Sequence, residues 1–203
     1  MVKTIAPVNT VPYVGNMTRN TLTTNAWIEA AFRALTIGGP QAIRAEAIAR
    51  NLNVSKGSFY WHFANVDALK RQMLQHWKME ATDNIIVVLK ERAMSPADRL
   101  RQLVEVATGE ANAQYGGVMA EAAIRDWARC DALAAQTVKT VDVERLDYLD
   151  FLFAQCSKTP TSSRTNSVIL YGALIGIGSL SHSGLADLRG DLTGLLEALL
   201  NEI

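Results

Sequence analysis

Residues 44–63 constrain this chain more than any other stretch: Ala45-Glu46-Ala47-Ile48-Ala49-Arg50-Asn51-Leu52, then Asn53-Val54, then Ser55-Lys56-Gly57-Ser58-Phe59-Tyr60-Trp61-His62-Phe63. Ala45, Ile48, Ala49 and Leu52 recur at i, i+3, i+4 and i+7, one narrow apolar stripe on an otherwise polar helix that therefore needs a partner. Asn53 stands where the chain must turn sharply, and asparagine is the side-chain-bearing residue that best tolerates the left-handed backbone of such a turn. Ser55 then reads as an N-cap whose hydroxyl accepts a hydrogen bond from the next turn, with Val54 and Phe59 as a hydrophobic staple around it. The unit is a helix-turn-helix.

On the second helix Phe59 and Phe63 point together into a core, which leaves Gly57, Ser58 and Trp61 outside, flanked by Tyr60 and His62, with Lys56 in the first turn. A surface of glycine, hydroxyl, aromatic and cation without an acid suits the major groove of DNA. Two helices at this spacing also occur as plain packing, and spacing alone leaves both readings open.

The wording narrows the choice. Ile48-Ala49, Leu52 to Phe63 and Asn65-Val66-Asp67-Ala68-Leu69 together resemble the signature of the TetR family of transcriptional regulators. The resemblance covers about the first third of the chain. It implies a recognition helix over residues 55–63, a phosphate contact from Tyr60, a long helix starting near Val66 and a body used for ligand-gated switching. Asn53 in place of the usual turn glycine, and Val66 in place of a lysine, depart from the pattern, and the second removes one phosphate contact.

The formal net charge of zero over 203 residues hides an asymmetry. Residues 1–75 carry eight Lys or Arg against three acids, whereas the remainder carries twelve against seventeen. A basic binding head on an acidic body produces that distribution. Cys130 and Cys156 form no metal-ligand spacing and need no oxidising compartment, so a cytoplasmic protein without metal or cofactor is expected. The start of the chain lacks the apolar core of a signal peptide, and the most apolar run, residues 168–180, is short and broken by glycines, which argues against a membrane span.

The expected architecture is all-α, about nine helices in all. Residues 1–20, with Pro7, Pro12 and Gly15, read as a flexible arm from which Arg19 could reach DNA. Residues 21–65 form a three-helix head: a helix over 24–37, with Ile28, Ala31, Phe32 and Leu35 on one face and Gly38-Gly39-Pro40 at its end, partners the stripe. Arg44 stands at the start of the second helix, placed for a phosphate. The DNA-binding set is therefore Arg44, Ser55, Lys56, Gly57, Ser58, Tyr60, Trp61 and His62.

Residues 66–203 form the helical body. Asn65 caps a helix that runs to about Arg92, roughly 40 Å, and links head to body. Ser95-Pro96 opens the next helix, residues 118–128 make a short one, Asp131 caps a long one, and residues 157–163 close it as a loop. Two final helices, near 164–181 and 187–201, carry Gly172-x-x-x-Gly176 and Gly190-x-x-x-Gly194 with leucines throughout. Glycine pairs inside helices suggest a closely approaching partner helix, so a homodimer through Gly172, Gly176, Leu192, Leu196 and Leu199 is expected. Trp77, Met119, Trp127, Tyr148, Phe151 and Phe153 are the candidate walls of a pocket for a small-molecule effector, although each also suits a plain core; Arg125, Asp126 and Arg129 read as a solvated helix face, from which one turned inward would orient a polar group of that effector. Enzymatic nucleophile motifs, metal clusters and phosphate loops do not occur in the sequence. The expected function is a repressor that binds double-stranded operator DNA as a homodimer and is released by an effector. A helical protein-interaction module that no longer binds DNA is the alternative.

Overall fold

The computed structural model describes residues 23–109, 115, 117–156 and 160–201, and among these every regular element is a helix. The expected arm over residues 1–20, with Arg19, lies outside the described residues. Helix α1 (Thr24–Gly38) is capped by Thr23, whose hydroxyl accepts from the Ala26 amide at 3.3 Å, and it ends at Gly39, where a φ of 71° requires glycine. Its buried face of Trp27, Ile28, Ala31, Phe32 and Leu35 covers α2 (Ala45–Asn51) and α3 (Lys56–Phe59), so the amphipathic stripe finds the expected partner.

The turn between α2 and α3 is a Schellman motif. The Val54 amide donates to the Ala49 carbonyl at 3.0 Å and the Asn53 amide to the Arg50 carbonyl at 3.1 Å, satisfying two end carbonyls of α2. Asn53 takes φ 55° and is the one non-glycine residue with positive φ among the described residues. Two details differ from expectation. Ser55 has the extended backbone of an N-cap but makes no side-chain cap bond. The α-helical part of the recognition segment is only residues 56–59, continued to Phe63 by tighter turns such as Trp61 amide to Ser58 carbonyl.

Asn65 caps α4 (Val66–Lys78) by accepting from the Ala68 amide at 2.8 Å. The link to the body is not one uniform helix: a π-helical stretch, Met79–Asp83, separates α4 from α5 (Asn84–Glu91). The buried side steps from Trp77 to Thr82, five residues on, where an α-helix would have buried Ala81. Lys78 Nζ reaches Asp83 Oδ1 at 2.6 Å across this stretch and Glu144 at 2.7 Å.

The body continues with α6 (Pro96–Thr108), capped by Ser95, α7 (Gly117–Trp127), α8 (Ala132–Cys156), capped by Asp131, α9 (Pro160–His182) and α10 (Leu188–Asn201). Helix α9 starts before the expected Arg164, because Pro160 is well suited to a first helical turn and the serines and threonines after it do not break one. Two apolar cores result. One joins the head to Trp77, Ile124, Trp127 and Val141, and the other joins Leu89, Leu100, Leu152 and Phe153 to Leu170, Leu192 and Leu196. The head therefore shares its core with α7 and α8. No helix among the described residues is long and apolar enough to cross a membrane.

Candidate nucleic-acid interface and effector cavity

Four residues are too few for a self-supporting helix, so the recognition segment takes its position from Phe59 and Phe63, both buried. The Phe59 ring meets Trp27 edge-on at 5.5 Å and Phe63 at 5.3 Å. His62 is held from the side, its Nδ1 3.2 Å from Thr24 Oγ1. Pointing the other way, Trp61 is 89% exposed and Tyr60 56%. A Cβ on Gly57 would lie an ordinary 3.6 Å from Ser55 Oγ, so the fold does not demand glycine there. A closely approaching ligand surface would.

The structure corrects one expectation about this face. It is not free of acid, because Glu46 of α2 reaches across the turn and pairs with Lys56. The hydrogen bond to Lys56 holds the Glu46 carboxyl below its usual range and raises Lys56 in turn. Arg44, exposed and extended at the N-cap of α2, adds a weaker pull on Glu46 but forms no ion pair with it. Glu46→Gln is expected to strengthen binding to duplexes of any sequence by a few-fold and to steepen the salt dependence by up to about one phosphate contact, measured by fluorescence anisotropy over a salt series.

Beneath the head lies a cavity of ≈ 450 Å³. Trp77, Met119 and Tyr148 line it, but the other three pocket candidates do not. Trp127 and Phe153 are consumed by the two cores, and Phe151, 52% exposed, stands on the outer side of α8. The wall is mainly aliphatic and aromatic, with Phe32, Ile85, Leu103, Leu170 and Leu174 among its residues, and it includes the π stretch from Glu80 to Thr82. His76, its ring tilted against Tyr115 at 4.2 Å between centroids, is held low in pKa by burial.

One wall carries a cluster that sequence reasoning missed. Arg145 Nη1 donates to both Glu121 oxygens at 2.9 Å, its Nε donates to Thr82 Oγ1 at 3.0 Å, and its Nη2 donates to the Ala81 carbonyl at 3.0 Å. Arg125 Nη2 donates to Glu121 at 2.9 Å, to Asp142 at 2.7 Å and to Tyr171 Oη at 2.7 Å. Tyr171 Oη donates in turn to Asp142 at 2.7 Å. Burial works against both guanidinium charges, and the carboxylates more than offset it; burial also pushes the Tyr171 hydroxyl up to about 12. Of the three polar candidates on α7 and beyond, Arg125 is thus the one that turns inward. The available signals were the Glu121/Arg125 and Asp142/Arg145 spacings, which usually mark solvated helix faces.

The interface leucines also need correction. Leu192, Leu196 and Leu199 are buried within the chain's own second core. The glycines are different: a Cβ on Gly172, Gly176 or Gly194 would meet nothing within 4 Å, so none of them serves packing inside the chain. Exposed Val168, Ile169 and Leu180 also lie on α9.

A basic helix-turn-helix head thus stands on a helix that walls a partly open, mostly apolar cavity. Residues 28–73 match the family model of the bacterial regulatory proteins of the tetR family. That match covers the helix-turn-helix head, and the fold of the described residues as a whole is similar to that of solved transcriptional regulators. A TetR-family transcriptional regulator from Rhodococcus sp. superposes with a TM-score of 0.71 at 16% identity, over 87% of this chain and 98% of its own. A transcriptional regulator from Saccharomonospora viridis in complex with choline gives 0.72 at 14% identity, over 88% and 95%. The fatty acid degradation regulator of Bacillus halodurans gives 0.69 at 18%, over 89% and 100%. No curated protein matches the chain.

Proposed function

We propose that the protein is a cytoplasmic, homodimeric repressor without enzymatic activity, which binds operator DNA through residues 44–62 and leaves it when a small, mostly apolar effector fills the cavity. The observation that carries this reading is that one continuous helical run, from Val66 to Glu91, holds up the head and also walls the cavity with Trp77 to Ile86. Its π stretch is the least regular part of that run and lies against the cavity, with the Ala81 carbonyl held by Arg145 instead of by a helical amide alone. Filling the cavity would displace this stretch and tilt α4, and in a two-fold dimer the tilt changes the separation of the two recognition segments. The ligand acts only through its different affinity for the two arrangements. Regulators of this fold from other bacteria are described as bound to choline or as controlling fatty acid degradation, which agrees with a cavity that takes small organic molecules.

The reading is tested by screening small molecules by thermal shift and Trp77 fluorescence, then measuring duplex release for each hit. Ligands that bind the body tightly yet leave DNA affinity unchanged would refute the switch. The protein-interaction alternative draws on the Glu46 acid beside the reading face and on exposed Trp61, and predicts no retardation of any duplex at low salt.

For the dimer, α9 and α10 supply exposed apolar side chains and three glycines that packing inside the chain does not use. Gly176→Leu is expected to yield monomer, since a branched side chain in a close helix contact overpacks it. Light scattering at micromolar concentration checks this, and a monomeric wild type would contradict it.

A further inference from the structure

We propose that Glu121 sets the charge class of the effector: as an internal carboxylate it occupies the anion site that Arg125 and Arg145 would otherwise form, so the cavity takes uncharged, largely apolar ligands. The inference rests on the reading of the cavity as the effector site. Glu121, Arg125, Arg145 and Tyr171 all face the cavity, and Asp142 stands behind them. Paired guanidinium groups on an apolar wall would ordinarily recruit a carboxylate or phosphate. Here both Glu121 oxygens are already engaged by Arg145, one of them also by Arg125, while Asp142 holds the rest of Arg125.

Two cations and two carboxylates sum to zero, and the Tyr171 hydroxyl closes the hydrogen bonding between them. An incoming anion must therefore expel Glu121 into a site where its side chain is only 21% exposed, and where an unpaired carboxylate is costly. A cation finds no better reception. The wall's other carboxylate, Glu80, is half-buried and already accepts from Asn84 Nδ2 at 3.2 Å, so a cation there competes with that bond. Burial disfavours a charge on His76. What remains for a ligand is aliphatic and aromatic surface with a hydrogen-bonding but uncharged pole.

The test is a calorimetric titration of the full-length protein with three molecules of matched chain: decanol, decanoate and decyltrimethylammonium. Wild type is expected to bind decanol at least about tenfold more tightly than either ion. Glu121→Gln opens the anion site and is expected to reverse the order of decanol and decanoate. Glu121→Ala vacates the same site with a smaller side chain and carries the same expectation if Glu121→Gln does not fold. A wild type that prefers either ion, or an order unchanged in a folded variant, overturns the role of Glu121 while leaving the cavity as an effector site. Failure of all three molecules to bind overturns the inference and the effector reading together.

Discussion

Arg145→Met is expected to lower the unfolding free energy by about 3–5 kcal/mol, the usual cost of removing one partner from a buried ion cluster. The side chain is 14% exposed and ties four elements together: the π stretch through Ala81 and Thr82, α7 through Glu121, α9 through Tyr171, and its own α8. Methionine fills much of the volume but leaves the Thr82 hydroxyl and the Ala81 carbonyl short of a donor and Glu121 short of a charge. For a chain of this size the loss corresponds to a fall in Tm of roughly 6–20 °C by calorimetry. Arg145→Lys keeps the charge but not the fork, and a single ammonium cannot span Ala81, Thr82 and Glu121, so it should recover only part of the loss. Amide hydrogen exchange in residues 83–87 should quicken in both variants, because the π stretch loses its outside support. A Tm change of less than about 1 °C for Arg145→Met would show that the cluster contributes little.

Phe59→Ala should abolish DNA binding and cost about 3–5 kcal/mol as well, for a different reason. The ring has no exposure and is the contact through which Trp27 and Phe63 fix a helix only four residues long. Truncating it leaves a hole under the reading face, and the tight turns that carry Tyr60 and Trp61 lose their footing. Phe59 shares a core with the Phe32 and Trp77 wall of the cavity but does not itself line it, so the cavity of the folded variant should still take ligand. Duplex binding and calorimetric ligand binding on the same sample separate the two effects. Retained specific DNA binding would mean that the recognition segment is held by something other than its core phenylalanines.

The head was legible in the sequence because each of its features is local. A stripe at helical spacing, an asparagine at the turn and two phenylalanines four residues apart dictate their own geometry, and Asn53 at φ 55° with its Schellman bonds follows from residue type. Even there the Lys56 to Glu46 pair was hidden, since it joins two helices across a turn that spacing on one helix does not describe. The body was legible in its helices and poorly legible in its site. Large aromatic residues suit pockets and cores equally, and tertiary packing sent Trp127 and Phe153 into cores and Phe151 outward. The leucines of α10 were too apolar for the surface, as expected, yet the surface they avoid is satisfied within the same chain. The cavity's charged wall is built from α7, α8 and α9; only its Glu121/Arg125 pair is local, in the guise of a solvated helix face, and the contacts that join the helices lie 17 to 46 residues apart. The π stretch left a trace only in the step from Trp77 to Thr82, which a reading by α-helical period passes over.

Selection from a randomised duplex pool at low salt tests the central claim most directly, because it engages the recognition segment and the dimer in one measurement. The account predicts enrichment of duplexes with two related half-sites about one helical turn apart, roughly 34 Å, whose affinity falls steeply as salt is raised. A pool that remains unenriched after repeated rounds would contradict it.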